Sequence, residues 1–304
     1  MPAIEETVLP GYPSVEAAAK NDRVLIIAPH MDDETIGAGA YALDAIRSGA
    51  EVFVAFLTAG DCARFSARIM HGRVMPTPSD YLSVGLTRIA EAQRAMRILG
   101  VPQEHLFVLG YPDRGLRTIF EQPSTIVRST STEQDAVPYA SAMSPGSKHT
   151  LENIVGDLRR VLDLVRPTTV ITPVPFDLHP DHSAAAEIVD LAIDNSPHTP
   201  NRLGYIVHTS RFLKSLVWTP DRALLPPARM RSFTWATYPV SASAQAVKAA
   251  MLDAYKSQRP YTYFLRNAFV RSNELFFAYS PEQVRVSHAA TSFACAPFSS
   301  PSSL

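Results

Sequence analysis

The stretch Val24-Leu25-Ile26-Ile27-Ala28-Pro29-His30-Met31-Asp32-Asp33-Glu34 decides how this chain folds. Its first five residues form a near-continuous apolar run, the pattern of a strand buried on both faces of a parallel sheet. The run ends abruptly in one imidazole and three carboxyl groups. Carboxylates held out of water are unfavourable unless a positive group balances them, and the simplest partner for such a cluster is a divalent cation. A second cluster, His179-Pro180-Asp181-His182, brings the same residue types far downstream.

Downstream, Thr35 to Arg47 reads as a helix closed by Gly49, and Glu51 to Thr58 as a second strand. Leu86 to Leu99 is helical, with Ile89, Ala92, Ala95, Met96 and Leu99 on one face. His105 to Leu109 is a short third strand. Leu151 to Val165 shows helical spacing between Thr150 as N-cap and Pro167 as stop. Thr168 to Val174 is a fourth strand, and Pro180 to Asp194 a helix with proline at its first position. Gly204 to Thr209 reads as a fifth strand. Strands alternating with helices predict an α/β fold, a Rossmann-like, mostly parallel sheet flanked by helices. Ligands in such sheets collect at the carboxyl ends of strands, where both charged clusters fall. Asp61 to Asp80 and Arg114 to Lys148 are expected as long irregular loops walling the site. Residues 1–286 are expected to form one domain, and the Ala/Ser/Pro-rich residues 287–304 a loose tail.

The bulk properties narrow the function. A net charge of -1 and a pI of about 6.8 give no strong field favouring nucleic acid or an anionic membrane, which leaves room only for a local patch, so no nucleic-acid partner is expected. Met1 to Lys20 lacks the apolar core of a secretory signal, and no stretch approaches the ~20 apolar residues of a membrane span. The two cysteines, Cys62 and Cys295, are far apart, which suits a reducing compartment. A cytoplasmic protein is expected.

Catalytic zinc sites usually take three protein ligands plus water. His30, Asp33 and His182 fit that count, and the donor set also suits iron(II) or another divalent ion. Asp32, beside a ligand but pointing elsewhere, is a natural general base. His179 is a candidate for holding an oxyanion or donating a proton, with Asp181 fixing its tautomer and charge. Spacing alone implies metal-assisted hydrolysis. Gly37 and Gly39 faintly resemble a dinucleotide loop, but the third glycine is missing and three acids would repel a pyrophosphate.

The segments Ala28 to Glu34 and His179-Pro180-Asp181-His182 together resemble the PIG-L/LmbE-like deacetylases, metal enzymes that remove acetyl from N-acetylglucosaminyl groups. The resemblance implies that His30, Asp33 and His182 bind zinc, that Asp32 is the base, that His179 stabilises the tetrahedral intermediate and that Asp181 modulates it. It extends through Leu57-Thr58-Ala59-Gly60-Asp61, Arg88-Ile89-Ala90-Glu91, Leu99-Gly100-Val101 and Leu109-Gly110-Tyr111-Pro112-Asp113. Lys248 with Ser257-Gln258 is similar to a C-terminal helix pattern of the family. By the same analogy Arg88 and Asp113 contact sugar hydroxyls of a small-molecule or glycoconjugate substrate. Met31 replaces the commoner Pro or Ala, and Asp177 stands where some members carry a tyrosine acid. The plain alternatives are a surface ion pair for Arg88 and Glu91, a turn former for Asp113, an ordinary small residue for Cys62, and structural or exposed roles for His71 and His208. The competing functions are another metal hydrolase, such as a two-metal phosphoesterase, and a sugar-binding protein without turnover.

Overall fold

A computed structural model describes residues 11–194, 199–209 and 217–279, without the side chains of 260 and 261. The expected tail and Cys295 lie outside the described residues. In chain order the elements are β1 (Arg23–Ala28), α1 (Asp33–Arg47), β2 (Glu51–Thr58), α2 (Arg64–His71), α3 (Pro78–Leu99) and β3 (Leu106–Tyr111). They continue with α4 (Leu116–Glu121), α5 (Leu151–Val165), β4 (Thr169–Pro173), α6 (Pro180–Ile193) and β5 (Asn201–Tyr205). The last are β6 (Trp235–Pro239), α7 (Ala242–Ala254), α8 (Arg259–Phe269) and β7 (Asn273–Ala278).

The strands form one sheet in the order β3-β2-β1-β4-β5-β7-β6. The first five are parallel, and β7 joins β5 and β6 antiparallel. The mixed α/β architecture thus agrees with the expectation. Strand β1 has β2 on one side and β4 on the other, so successive crossovers diverge between β1 and β4 and open a crevice at their carboxyl ends. His30 follows β1, and the segment from His179 follows β4.

Several boundaries differ from the sequence reading. Helix α3 starts at Pro78 rather than Leu86, because Thr77 and Asp80 form a reciprocal capping box with proline at the first position. The stretch Asp61 to Asp80 therefore holds α2 and the first turn of α3 and is not irregular throughout. Strand β5 runs over Asn201–Tyr205 rather than Gly204 to Thr209. Beyond it the amides of Val207 and His208 turn away from the ladder and donate to Asp177 Oδ2 at 2.8 and 3.0 Å. The segment after β3 carries α4, and its remainder is pinned by Tyr139, whose hydroxyl donates to Asp61 at 2.5 Å.

Helix α1 is broken at Ala38 (φ -146°, ψ 17°). Lys248 of α7 fills the break: its ammonium donates to the Ile36 carbonyl at 2.8 Å and to Glu274 Oε1 at 2.6 Å. The Glu274 carboxylate accepts from the amides of Ala40 and Tyr41 at 2.9 and 2.8 Å. A cation thus closes the carbonyl end of the first segment and an anion the amide end of the second, each on its favourable dipole end. Gly37 lets this bend lie on β5. A Cβ there would come within 2.4 Å of the Tyr205 ring.

Candidate metal centre and active site

The chain leaves β1 through a tight turn. The His30 amide donates to Asp33 Oδ2 at 2.9 Å, and Asp32 adopts φ 131°, a conformation that strains a non-glycine residue and is found mainly at functional sites. The turn sends Asp33 inward and leaves Asp32 facing the cavity. Glu34 anchors the other end. It accepts from the Asp32 amide at 3.0 Å and from the Tyr255 hydroxyl at 2.6 Å.

Three side-chain atoms converge. Asp33 Oδ2 lies 3.3 Å from His30 Nδ1 and 3.0 Å from His182 Nε2, and the two imidazole nitrogens are 3.3 Å apart. Tetrahedral zinc with bonds of 2.0–2.1 Å sets its ligand atoms about 3.3–3.4 Å apart, so the triangle has nearly the edge a metal requires. His182 is fully buried, and Asp33 almost so. Burial alone would push the Asp33 carboxyl up, yet the neighbouring imidazoles hold it well below its ordinary value. Conversely, Asp33 and Asp177 lift His182 to about 9 against the effect of burial. Both directions express one demand for positive charge inside the cluster, which protons or a cation can meet.

The opposite nitrogen of His30 is also engaged. Nε2 lies 3.3 Å from Asp113 Oδ1 and 3.2 Å from Asp181 Oδ2. This is the outer carboxylate arrangement that orients a ligating imidazole. Asp181 is itself fixed, accepting from the amides of Arg114 at 2.6 Å and Leu116 at 3.1 Å. Asp181 does act on His179, but by another route than a carboxylate hydrogen bond, since its carboxylate reaches that ring through charge alone. The carboxylate is spent on His30 and the loop, and it is the Asp181 backbone amide that donates to His179 Nδ1, at 3.2 Å. That bond makes Nδ1 the acceptor, so a neutral His179 carries its proton on Nε2. Burial, aided by the positive His30 and His182, pushes His179 down to about 4, keeping it neutral at ordinary pH.

Asp32 is pushed up to about 7 by burial, against the opposing pull of Arg88. The Arg88 guanidinium lies 3.4 Å from Asp32 Oδ2 and donates to the carbonyls of Gly60 and Met31. Arg88 is buried, so a surface pair with Glu91 is corrected. Glu91 instead accepts from the amide and hydroxyl of Ser257 at 2.8 and 2.7 Å. Asp113 is buried beside His30 and accepts from the Cys62 amide at 2.8 Å, so it does more than shape a turn. A cavity of about 690 Å³ opens over this cluster. Its lining includes His30, Asp32, Asp33, Arg88, Asp113 and His179, with Phe65, Phe264 and Leu265 on its walls.

Two residues named in the sequence were not assigned a role in the site. Asp177 is buried 3.5 Å from His182 Nδ1 and 3.2 Å from His208 Nδ1. His208, expected to be structural or exposed, lines the cavity and packs edge-on against His182 at 4.4 Å between ring centres. The position of Asp177, two residues before His179, was its one local signal. His208 had none, because only the course of the chain after β5 brings it here. His71 sits apart, 3.4 Å from Asp80.

The sequence pattern of the PIG-L family, described as GlcNAc-PI de-N-acetylase, matches residues 25–193. A 1D-myo-inositol 2-acetamido-2-deoxy-alpha-D-glucopyranoside deacetylase of Kribbella flavida is 29% identical over 175 residues, covering 56% of this chain and 53% of that protein. A probable N-acetyl-alpha-D-glucosaminyl L-malate deacetylase 2 of Bacillus anthracis is 28% identical over 196 residues, covering 62% of this chain and 67% of its own. The chain thus spans about half to two thirds of the length of these relatives. The solved N,N'-diacetylchitobiose deacetylase of Pyrococcus horikoshii shares the fold with a TM-score of 0.53 at 18% identity, over 90% of this chain and 87% of that one. With more than half of its residues, both charged clusters among them, inside the matched pattern, the chain belongs to the PIG-L (GlcNAc-PI de-N-acetylase) family.

Proposed function

We propose that this protein hydrolyses the acetamido group of an N-acetylglucosamine-type glycoconjugate, with one divalent ion, zinc by preference, held by His30, Asp33 and His182. The observation that carries the reading is the donor triangle with edges of 3.0–3.3 Å, of which His30 and Asp33 line the cavity, with the Asp32 carboxylate beside it. The ion would supply Lewis acidity for the amide carbonyl and for water. Asp32 takes the proton of the attacking water, as a base with a pKa near 7 can. His179 donates its Nε2 proton in a hydrogen bond to the carbonyl oxygen as negative charge gathers there. Asp32 then returns its proton to the amine as the carbon-nitrogen bond breaks, and acetate and the free amino sugar leave. Arg88 holds Asp32 in place, and with Asp113 it borders the space the sugar would fill. We further place the protein in the cytoplasm, a location that its cysteine-poor composition supports, as one catalytic domain over residues 1–286.

Acetate release from N-acetylglucosaminyl compounds by the zinc-loaded protein tests this. Asp32→Asn should reduce the rate by about 10²–10⁴-fold, and equal rates would defeat the assignment of the base. A phosphoesterase reading draws on the second carboxylate set around His30 Nε2. It requires about two ions per chain, whereas the single triangle requires one, so metal analysis separates them.

A further inference from the structure

We infer that the α2 segment docks on an anionic lipid surface and brings the mouth of the cavity against it. Between Asp61 and Asp80 the sequence holds three arginines and one histidine but no acid, in a chain whose net charge is -1. Helix α2 buries Ser66 and Ala67 and turns its other side outward. Ser66 is tied inward, donating to the Ser257 carbonyl at 2.8 Å and accepting from Gln258 at 3.0 Å. After Gly72 the chain folds back along the helix. The Arg73 amide donates to the Arg68 carbonyl at 3.3 Å, Arg68 Nε donates to the Val74 carbonyl at 2.8 Å, and Arg64 meets Met75 Sδ at 3.5 Å.

This hairpin gathers Phe65, Ile69, Val74 and Met75, each 57–77% exposed. Exposed apolar side chains concentrated in so short a segment mark an interaction surface. Arg64 and Arg68 have no acidic partner among the described residues, and Arg73 reaches Asp80 only at 3.7 Å. Bulky apolar groups interleaved with unpaired cations are the composition of a helix that lies in a lipid interface and favours acidic headgroups. The patch is continuous with the site, because Arg64 and Phe65 also line the cavity. On the deacetylase reading, a sugar linked to a lipid would then enter the cavity directly from the surface.

Flotation with phosphatidylcholine vesicles, with and without phosphatidylglycerol, tests the inference on the full chain. The protein should float with the phosphatidylglycerol vesicles, less so as salt rises, and weakly with phosphatidylcholine alone. Ile69→Ser/Met75→Ser changes exposed positions outside the cavity lining. It should lower vesicle partition at least tenfold while leaving thermal melting and turnover of a water-soluble N-acetylglucosaminide unchanged. Absence of wild-type binding, or equal binding by the double variant, overturns the inference. So does a wild-type oligomer that the double variant dissolves, which would make the patch a subunit contact. Failure of soluble-substrate turnover with vesicle binding intact would strike the deacetylase reading alone.

Discussion

Replacing Lys248 by methionine tests the idea that a remote ion pair sets the aim of the metal site. The side chain keeps its length and apolar stem but loses the ammonium. Lys248 and Glu274 are each about 2% exposed, so in the variant the Glu274 carboxylate stays buried with two backbone amides and no counter-charge, and the Ile36 carbonyl loses its donor. Removing one partner of a buried pair costs about 3–5 kcal/mol. At roughly 2–4 °C per kcal/mol for a domain of this order of size, the melting temperature should fall by roughly 10 °C. Glu274→Gln should be destabilising too, and the double variant should lose at least ~1 kcal/mol less than the sum of the two, the signature of direct coupling. The segment Asp33 to Gly37 is held at its far end by this lysine, so zinc affinity of the folded variant should also drop. Urea unfolding and zinc titration below the melting range measure both effects. A loss under about 1 kcal/mol for Lys248→Met, or strict additivity in the double variant, refutes the role of the pair.

Four further outcomes follow from the same geometry. Asp32 must be ionised to act, so kcat/KM should rise with pH to a plateau, with a midpoint at or below about 7 because a bound cation lowers the value burial sets. Arg88→Met removes the opposing positive charge and should move that midpoint upward in a pH-rate profile; a downward move contradicts the assignment. Asp177→Asn removes the negative charge 3.5 Å behind His182 Nδ1 and should lower zinc affinity about 10–100-fold, read by competition with a chromogenic chelator. Gly37→Ala forces a methyl group into the Tyr205 ring and should cost about 1–3 kcal/mol in the same unfolding assay.

The parallel core and the place of the chemistry are legible in the order of residues. An unbroken apolar run from Val24 to Ala28 has one good home, a doubly covered strand. Charge placed immediately after such a strand must lie at the sheet's carboxyl edge, and helix periodicity with capping residues located α5 and α6. These signals are local, so they survive in a one-dimensional reading. What surrounds the charges emerges only from the packing of distant segments. Lys248 reaches Ile36 across 212 residues and Tyr255 reaches Glu34 across 221, and such pairs leave no mark in the periodicity of either segment. The break in α1 was equally hidden, because Ala38 is an ordinary helix former and the break is held by side chains from α7 and β7. The carboxylate of Asp181 faces His30 rather than its neighbour His179 because the amides of Arg114 and Leu116 claim its oxygens. His208 enters the cavity only because Asp177 draws the end of β5 off its ladder. Hydrogen-bond competition in a buried space settles such choices, and that competition exists only once the distant strands are side by side.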